Sequence, residues 1–313
     1  MITYIFLKRL PLAFGVVIIS TLVTFTLLCI APGDPAEIII QRLLVGDTEY
    51  RPSEEEKEAV RDMFNLRDPI FIAYFKWLIK ALSGDFGISY RTGLPVLKEL
   101  NQRLFATFAL AVASMAIATF IGILIGAFAV MKRSLNVLAS IYFAFFVSTP
   151  SFLLALLFLV IFVVKLKTFP MVGYSGFSSL ILPSLSLAIP TSAIITQLVR
   201  TNLLEAMSQD FITTARTKGL DEKVILLRHG LRNALIPVVT ILGLQFGGLL
   251  SGVVVVENIF SWPGIGTLLV DAVQARDVPV IQACVFVIAV IYSAVNLAVD
   301  LLYGLIDPRV RLR

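Results

Sequence analysis

The sequence predicts an all-α membrane protein with six transmembrane helices, on three observations: its composition, the lengths of its uncharged runs, and the placement of its cations. Of 313 residues, 58% are hydrophobic and 15% charged, with a mean hydropathy of +0.91, whereas soluble domains are about 45–50% apolar and about 25% charged. That excludes an ordinary soluble globular fold. Marking every Lys, Arg, Asp and Glu leaves long uncharged runs at 10–33, 104–131, 134–164, 168–199, 233–256 and 278–299, of 24, 28, 31, 32, 24 and 22 residues. About 20 apolar residues cross a hydrocarbon core, so each of the six can span. The next run, 258–270, has only 13 residues and cannot.

The net charge of +5 is compatible with nucleic acid, but sorting the cations by loop favours the membrane. With the N-terminus inside, the short inside segments carry Lys8, Arg9, Lys132, Arg133, Arg200, Arg216, Lys218, Lys223, Arg228, Arg232, Arg309, Arg311 and Arg313, which is 13; the two short outside loops carry Lys165, Lys167 and Arg276. This bias predicts a multi-pass protein of the cell inner (cytoplasmic) membrane with both termini cytoplasmic and no nucleic-acid partner. The first run exceeds a usual signal-peptide core and no clear cleavage site follows, so it reads as a retained helix. Cys29 and Cys284 both sit in membrane runs without metal-ligand spacing and read as small apolar core residues.

The chain divides into 1–103, a first span with an extracytoplasmic loop, and 104–313, a five-helix core that includes a cytoplasmic loop at 200–233. The outer loop opens at the turn Ala31-Pro32-Gly33-Asp34-Pro35 and is patterned enough to fold. Ser53 and Glu56 have capping-box spacing ahead of a helix over about 54–64. Asp68-Pro69 starts another, Ile70 to Leu82, ended by Gly84, with Phe71, Tyr74, Phe75, Leu78 and Leu82 at helical spacing and Lys76 and Lys80 four apart. It fits an interfacial helix or one packed on the bundle, the other reading being a surface helix without a specific partner. After the turns at Gly84-Asp85-Phe86-Gly87 and Thr92-Gly93-Leu94-Pro95, the stripe Val96, Leu97, Leu100 and Leu104 runs into the second span. Pro150, Pro183 and Pro190 predict breaks or kinks in spans three and four, either beside a pathway or as plain structural bends.

The loop at 200–233 holds Asp210 as a possible N-cap, an amphipathic stretch from Phe211 to Lys218, Gly219 suited to a left-handed stop, and a second helix from Asp221. Its apolar residues Ile212, Ala215, Val224, Ile225, Leu226 and Leu227 make it a rigid projection rather than a plain solvated loop. This segment resembles the coupling loop of ABC importer permeases, whose motif is EAA, three residues, Gly, nine residues, then I-x-L-P. Gly219 takes the glycine position, Thr213, Thr214 and Ala215 stand for EAA, and His229, Leu231 and Arg232 stand for Ile, Leu and Pro, so three of seven positions match. The sub-family pattern is closer. Thr214-Ala215-Arg216-Thr217-Lys218-Gly219-Leu220, followed by Arg228-His229-Gly230-Leu231-Arg232-Asn233-Ala234-Leu235-Ile236-Pro237, resembles one of the two permeases of dipeptide, oligopeptide and nickel importers. The resemblance continues through Pro32-Gly33-Asp34-Pro35, Gly173-Tyr174, Glu257 to Gly266, Arg276 to Gln282, Asn296 to Asp300 and Asp307-Pro308-Arg309.

The resemblance implies the type I permease fold of ABC importers and a set of partners: a second homologous permease, two ATPase subunits, an extracytoplasmic substrate-binding protein and membrane lipid. It implies that Thr213, Thr214, Ala215, Arg216, Lys218, Gly219 and Leu220 couple to the ATPase, with ATP and Mg bound on the partner subunits. The sequence itself has no GxxxxGK[ST] loop, so the chain reads as a transport subunit rather than an enzyme, binding no cofactor of its own. Its single histidine, His229, lies on the cytoplasmic side and permits no HExxH zinc site and no intramembrane Ser-His pair; it reads as a structural contact.

Ser148, Thr149, Gln197 and Gln245 are candidate pathway contacts, helix bridging being the other reading. Glu257 and the turn Trp262-Pro263-Gly264 sit at the outer end of span five as an outer gate or receptor contact, or, for the tryptophan, an interface anchor. Asp300 reads as paired with a nearby Arg close to the cytoplasmic surface, an intramembrane functional acid being the other reading. A secondary transporter would show inverted repeats and charges at the bilayer midplane, and neither is visible. Peptides are the favoured cargo, nickel or a metal chelate the alternative.

Overall fold

A computed structural model of the chain describes residues 2–31, 34–41, 51–63, 68–170, 173 and 176–306. Pro32-Gly33, Phe64, Tyr174 and the stretch Asp307 to Arg313 lie outside the described residues. In chain order the helices are α1 (Ile2–Ile30), α2 (Pro35–Ile39), α3 (Glu54–Met63), α4 (Ile70–Leu82), α5 (Val96–Met131), α6 (Arg133–Val147), α7 (Ser151–Phe158), α8 (Phe177–Met207), α9 (Asp210–Thr217), α10 (Glu222–Val224), α11 (Leu231–Ile259), α12 (Ile265–Ala275) and α13 (Val278–Ile306). Two widened turns, Leu159–Lys165 after α7 and Ile225–Gly230 before α11, continue the helical path with five-residue hydrogen bonds such as Leu166 N–H to Ile161 O, 2.9 Å.

Among the described residues, four segments are long and apolar enough to cross a membrane: Arg9–Ile30 within α1, α5, α8, and Val278–Leu301 within α13. The remaining two predicted spans are bent pairs. Ser134–Val147 and Ser151–Lys165 meet at 94°, and Glu222–Leu235 and Pro237–Leu249 at 44°. The first break falls where Pro150, with φ −61° and ψ 140°, has no N–H to continue α6. Pro183 and Pro190, by contrast, lie inside an unbroken α8. That helix is the most covered of the four straight spans, 61% of its apolar window being buried against 11% for α1. Cys29 on α1 is accordingly exposed while Cys284 is buried, so only the second is a core residue.

The chain forms two compact units, residues 1–8, 107–262 and 295–313 in one, and 9–106 and 263–294 in the other. In the first, α8 packs against α6, α7 and α11, and its Ile195 and Val199 join Ala118 of α5 and Val238 of α11 in a buried core. Glycines set the spacing of α5 and α8. A methyl on Gly122 would come 2.6 Å from Ile195 Cβ, and one on Gly126 would come 2.8 Å from the backbone oxygen of Thr196, so only hydrogen fits at this helix contact.

In the second unit, α4, α5, α12 and α13 enclose Ala81, Val96, Leu100, Ile265, Leu268, Ala272, Ile281 and Cys284. The predicted capping box closes α3: Ser53 N–H donates to Glu56 Oε2 at 2.8 Å and Glu56 N–H to Ser53 Oγ at 3.3 Å. Val60 of α3 packs on Ala36, Ile39 and Ile40, and Arg61 pairs with Asp34, the N-cap of α2, at 2.5 Å. The α4–α5 connection turns at Gly84, Gly87 and Gly93, all with positive φ.

Candidate functional site

The projection after α8 is an eight-residue helix, α9, too short to hold its shape alone. Its inward face, Ile212 and Ala215, is seated on Ile225 and Met207. Gly219, φ +76°, ends it in a Schellman motif: Leu220 N–H reaches Ala215 O at 3.5 Å and Gly219 N–H reaches Arg216 O at 2.9 Å. Asp210 is the first helical residue rather than the N-cap, because the extended backbone of Gln209 opens the helix and accepts Ile212 N–H at 3.0 Å. In the first turn its carboxylate suits the helix dipole. Asp221, likewise expected to start the second helix, is the cap of α10.

Across the glycine turn Arg216 grips Glu222 with two bonds, Nε to Oε1 at 2.7 Å and Nη2 to Oε2 at 3.3 Å. Each side chain favours the other's charged form, raising the Arg216 guanidinium and holding the Glu222 carboxyl below its ordinary value. Of the predicted coupling residues, Ala215 is buried, whereas Thr213, Thr214, Arg216, Lys218, Gly219 and Leu220 are exposed. Nearby, the His229 carbonyl accepts Asn233 Nδ2 at 2.8 Å.

The four polar residues singled out inside the spans do not form one cluster of hydrogen bonds. Ser148 and Thr149, at the 94° break, donate to Ala144 O and Phe145 O at 3.1 and 2.8 Å, satisfying carbonyls at the end of α6. Gln197 Oε1 accepts from Arg200 Nη1 at 2.9 Å, and Arg200 Nε donates to Asn136 Oδ1 of α6. Gln245 is half-buried on α11.

At the end of α11, Glu257 is fully buried. It accepts Thr107 Oγ1 at 2.6 Å, and its backbone oxygen takes Trp262 N–H at 2.8 Å. The Trp262 side chain is only 1% exposed, so its ring is engaged within the chain. Pro263 is half-buried, and Gly264 opens α12, where its carbonyl accepts the Thr267 hydroxyl at 2.8 Å.

With this geometry in view, the family described as binding-protein-dependent transport system inner membrane component matches residues 118–312. The chain belongs to this family of ABC importer permeases. Over its length this permease is 38% identical to the glutathione transport system permease protein GsiC of Escherichia coli strain K12, covering 99% of each chain. The proteins of the same name from Shigella dysenteriae serotype 1 and Salmonella paratyphi A are also 38% identical with the same coverage. A crystal structure of an amino acid ABC transporter with histidines aligns with 68% of this permease and 94% of that chain, at a TM-score of 0.51 and 20% identity. The permease is thus an all-helical, multi-pass inner-membrane protein with the fold of ABC importer permeases.

Sequence reasoning missed two polar anchors of this permease. Arg200 reads in the sequence only as an orienting cation, although Asn136, a lone amide early in an apolar run, signals a polar contact between α6 and α8. Asp277 stands in the sequence only as part of the resembling stretch Arg276 to Gln282. It is 1% exposed and accepts Ser89 Oγ at 2.5 Å and the backbone N–H groups of Tyr90 and Arg91 at 3.1 Å each. Burial beside that carboxylate pushes the Tyr90 hydroxyl up to about 12.

Proposed function

We propose that this permease is one half of the translocation pathway of a peptide importer, paired with a second homologous permease and driven by two ATPase subunits that bind ATP and Mg. An extracytoplasmic binding protein delivers the cargo, and both termini lie in the cytoplasm, as the cation bias indicates. The observation that carries the reading is α9. It is a short helix, stopped by Gly219, that presents Thr213, Thr214, Arg216, Lys218 and Leu220 outward while Ile212 and Ala215 anchor it inward. A body held in this way moves as a unit, so closure of the ATPase pair around ATP would tilt the spans and alternate access between the two sides.

Ser148, Thr149, Gln197 and Gln245 are proposed as pathway contacts, and Glu257 with Trp262-Pro263-Gly264 as the outer gate or receptor contact. Peptide cargo is favoured because relatives 38% identical over the whole chain are named for glutathione, a tripeptide thiol. The deciding experiment is uptake of labelled dipeptide, glutathione and nickel, with and without a chelator, in cells lacking or carrying the gene. Loss of peptide or glutathione uptake alone supports the reading. Loss of nickel uptake alone would reassign the permease to a metal or metal-chelate importer.

A further inference from the structure

Helix α4 has three faces, each with its own chemistry. Taking about 100° per residue, Tyr74, Trp77, Leu78 and Ala81 fall in one sector, Phe71, Ile72, Phe75, Ile79 and Leu82 in the next, and Lys76 and Lys80 in the third. The first sector is engaged within its unit. Tyr74 donates to Ile18 O of α1 at 3.1 Å and shares a 2.9 Å hydrogen bond with the Thr21 hydroxyl. Phe25 of α1 packs against Tyr74 and Trp77, with centroids 5.7 and 6.4 Å apart, and Trp77 against Phe286 of α13 at 6.1 Å. The second sector is bare: Phe71, Ile72, Phe75, Ile79 and Leu82 are 67, 49, 56, 69 and 64% exposed.

What covers that sector follows from where α4 sits. It lies along a segment of α1 that is apolar enough to span and buried within the chain over only 11% of its window. Thr21 and Phe25 fall about 14 and 8 Å short of Ile30 at 1.5 Å per residue, inside a hydrocarbon core about 30 Å thick. Helix α4 is thus packed on one side of a helix whose opposite side, with Ile19, Val23 and Leu27, is exposed and is given to lipid by a spanning helix. The lysines complete the pattern. Lys76 and Lys80 are exposed on the sector turned away from the apolar edge, and Lys76 is steadied by Asp68 at 2.7 Å. A helix with an apolar edge and a cationic edge lies in the membrane interface, its cations at the headgroups.

We propose that α4 is an interfacial membrane helix. Its Phe71, Phe75, Ile79 and Leu82 edge is set among the acyl chains of the leaflet at the Ile30 end of α1, and Lys76 and Lys80 are directed at lipid phosphates. The α4–α5 connection is then held at the height of the bilayer surface.

The test uses the full permease in vesicles of phosphatidylethanolamine and phosphatidylglycerol, alone and assembled with its partner subunits. Spin labels are placed at Phe71→Cys, Phe75→Cys, Ile79→Cys, Lys76→Cys and Lys80→Cys in a chain carrying Cys29→Ser and Cys284→Ala. Labels at 71, 75 and 79 should relax with dissolved oxygen and not with a water-soluble nickel chelate, and labels at 76 and 80 the reverse. Access of the chelate to 71, 75 and 79 would show a solvated loop helix and overturn the proposal. Exclusion of both reagents would show cover by protein and overturn it equally. The unaltered permease gives a second readout: a lipid with a diazirine in its acyl chain should leave adducts within 70–82, and a map with adducts on α1 but none there would overturn it.

Discussion

The carboxylate of Asp277, beside the first turn of α13, takes the hydroxyl hydrogen of Ser89 at 2.5 Å across 188 positions of chain. The same group accepts the backbone N–H of Tyr90 and of Arg91, so one acceptor-only side chain organises three consecutive residues. Arg276, just before it, stands at φ +53° and closes α12 in the left-handed region.

Replacing Asp277 by Asn puts an amide donor among three donors. We expect Asp277→Asn to cost about 1–3 kcal/mol, the scale of a buried hydrogen-bonding group left unsatisfied, and Ser89→Ala to cost less. Thermal unfolding in detergent should show the order, with faster proteolysis at Arg91 in the Asn variant. Equal melting of wild type and Asp277→Asn would remove the clamp from the account.

Gly126 meets α8 so closely that any side chain collides with backbone, 2.8 Å from Thr196 O. Overpacking of this kind costs about 1–3 kcal/mol. Gly126→Ala should lower the melting temperature, whereas Gly15→Ala, with nothing within 4 Å of its added methyl, should not. If both variants melt alike, the contact of α5 with α8 is looser than the distances imply.

Why was so much of the architecture legible, and the polar anchors not? A span is a local property, a run of uncharged residues of sufficient length, and all six runs correspond to four helices and two bent pairs. The helix stop at Gly219 is local as well, since left-handed backbone favours glycine whatever surrounds it. Breakage at proline is only half local. Pro150 interrupts a helix and Pro190 does not, because a proline only frees a carbonyl and crowds one turn, and the packing around it decides whether the chain breaks. Asp277 with Ser89 and Arg200 with Asn136 join residues 188 and 64 positions apart, and no periodicity encodes such pairs. Cys29 shows the opposite limit: an apolar run says that a residue is in the membrane, not whether protein or lipid covers it.

Tyr90 supplies a pH dependence. Its hydroxyl is raised to about 12 by burial and by Asp277, while an unfolded tyrosine ionises near about 10. Between these values the folded state keeps a proton that the unfolded state has released, so stability falls as pH rises. The contribution is fully present below about pH 10 and lost by about 12, a change of up to about 3 kcal/mol. Denaturation midpoints of wild type should fall more steeply over this window than those of Tyr90→Phe. Parallel slopes would mean that this hydroxyl titrates as though solvated.

Gly219 separates backbone strain from crowding, because a methyl there would meet nothing within 4 Å while φ is +76°. Any effect of substitution is therefore conformational. Asn tolerates the left-handed region, Ala less so, and a β-branched residue least. Transport in vesicles reconstituted with the partner subunits should fall in the order Gly219→Asn, Gly219→Ala, Gly219→Val, with the Val variant losing most activity while inserting and melting like wild type. Under the proposed coupling role, loss of the bonds from Leu220 to Ala215 and from Gly219 to Arg216 would free α9 to swivel, so that motion of an ATPase partner would no longer reach α11. ATP hydrolysis should then continue with fewer molecules moved per ATP. Wild-type transport by Gly219→Val would show that the stop is dispensable and that α9 is not the coupling element.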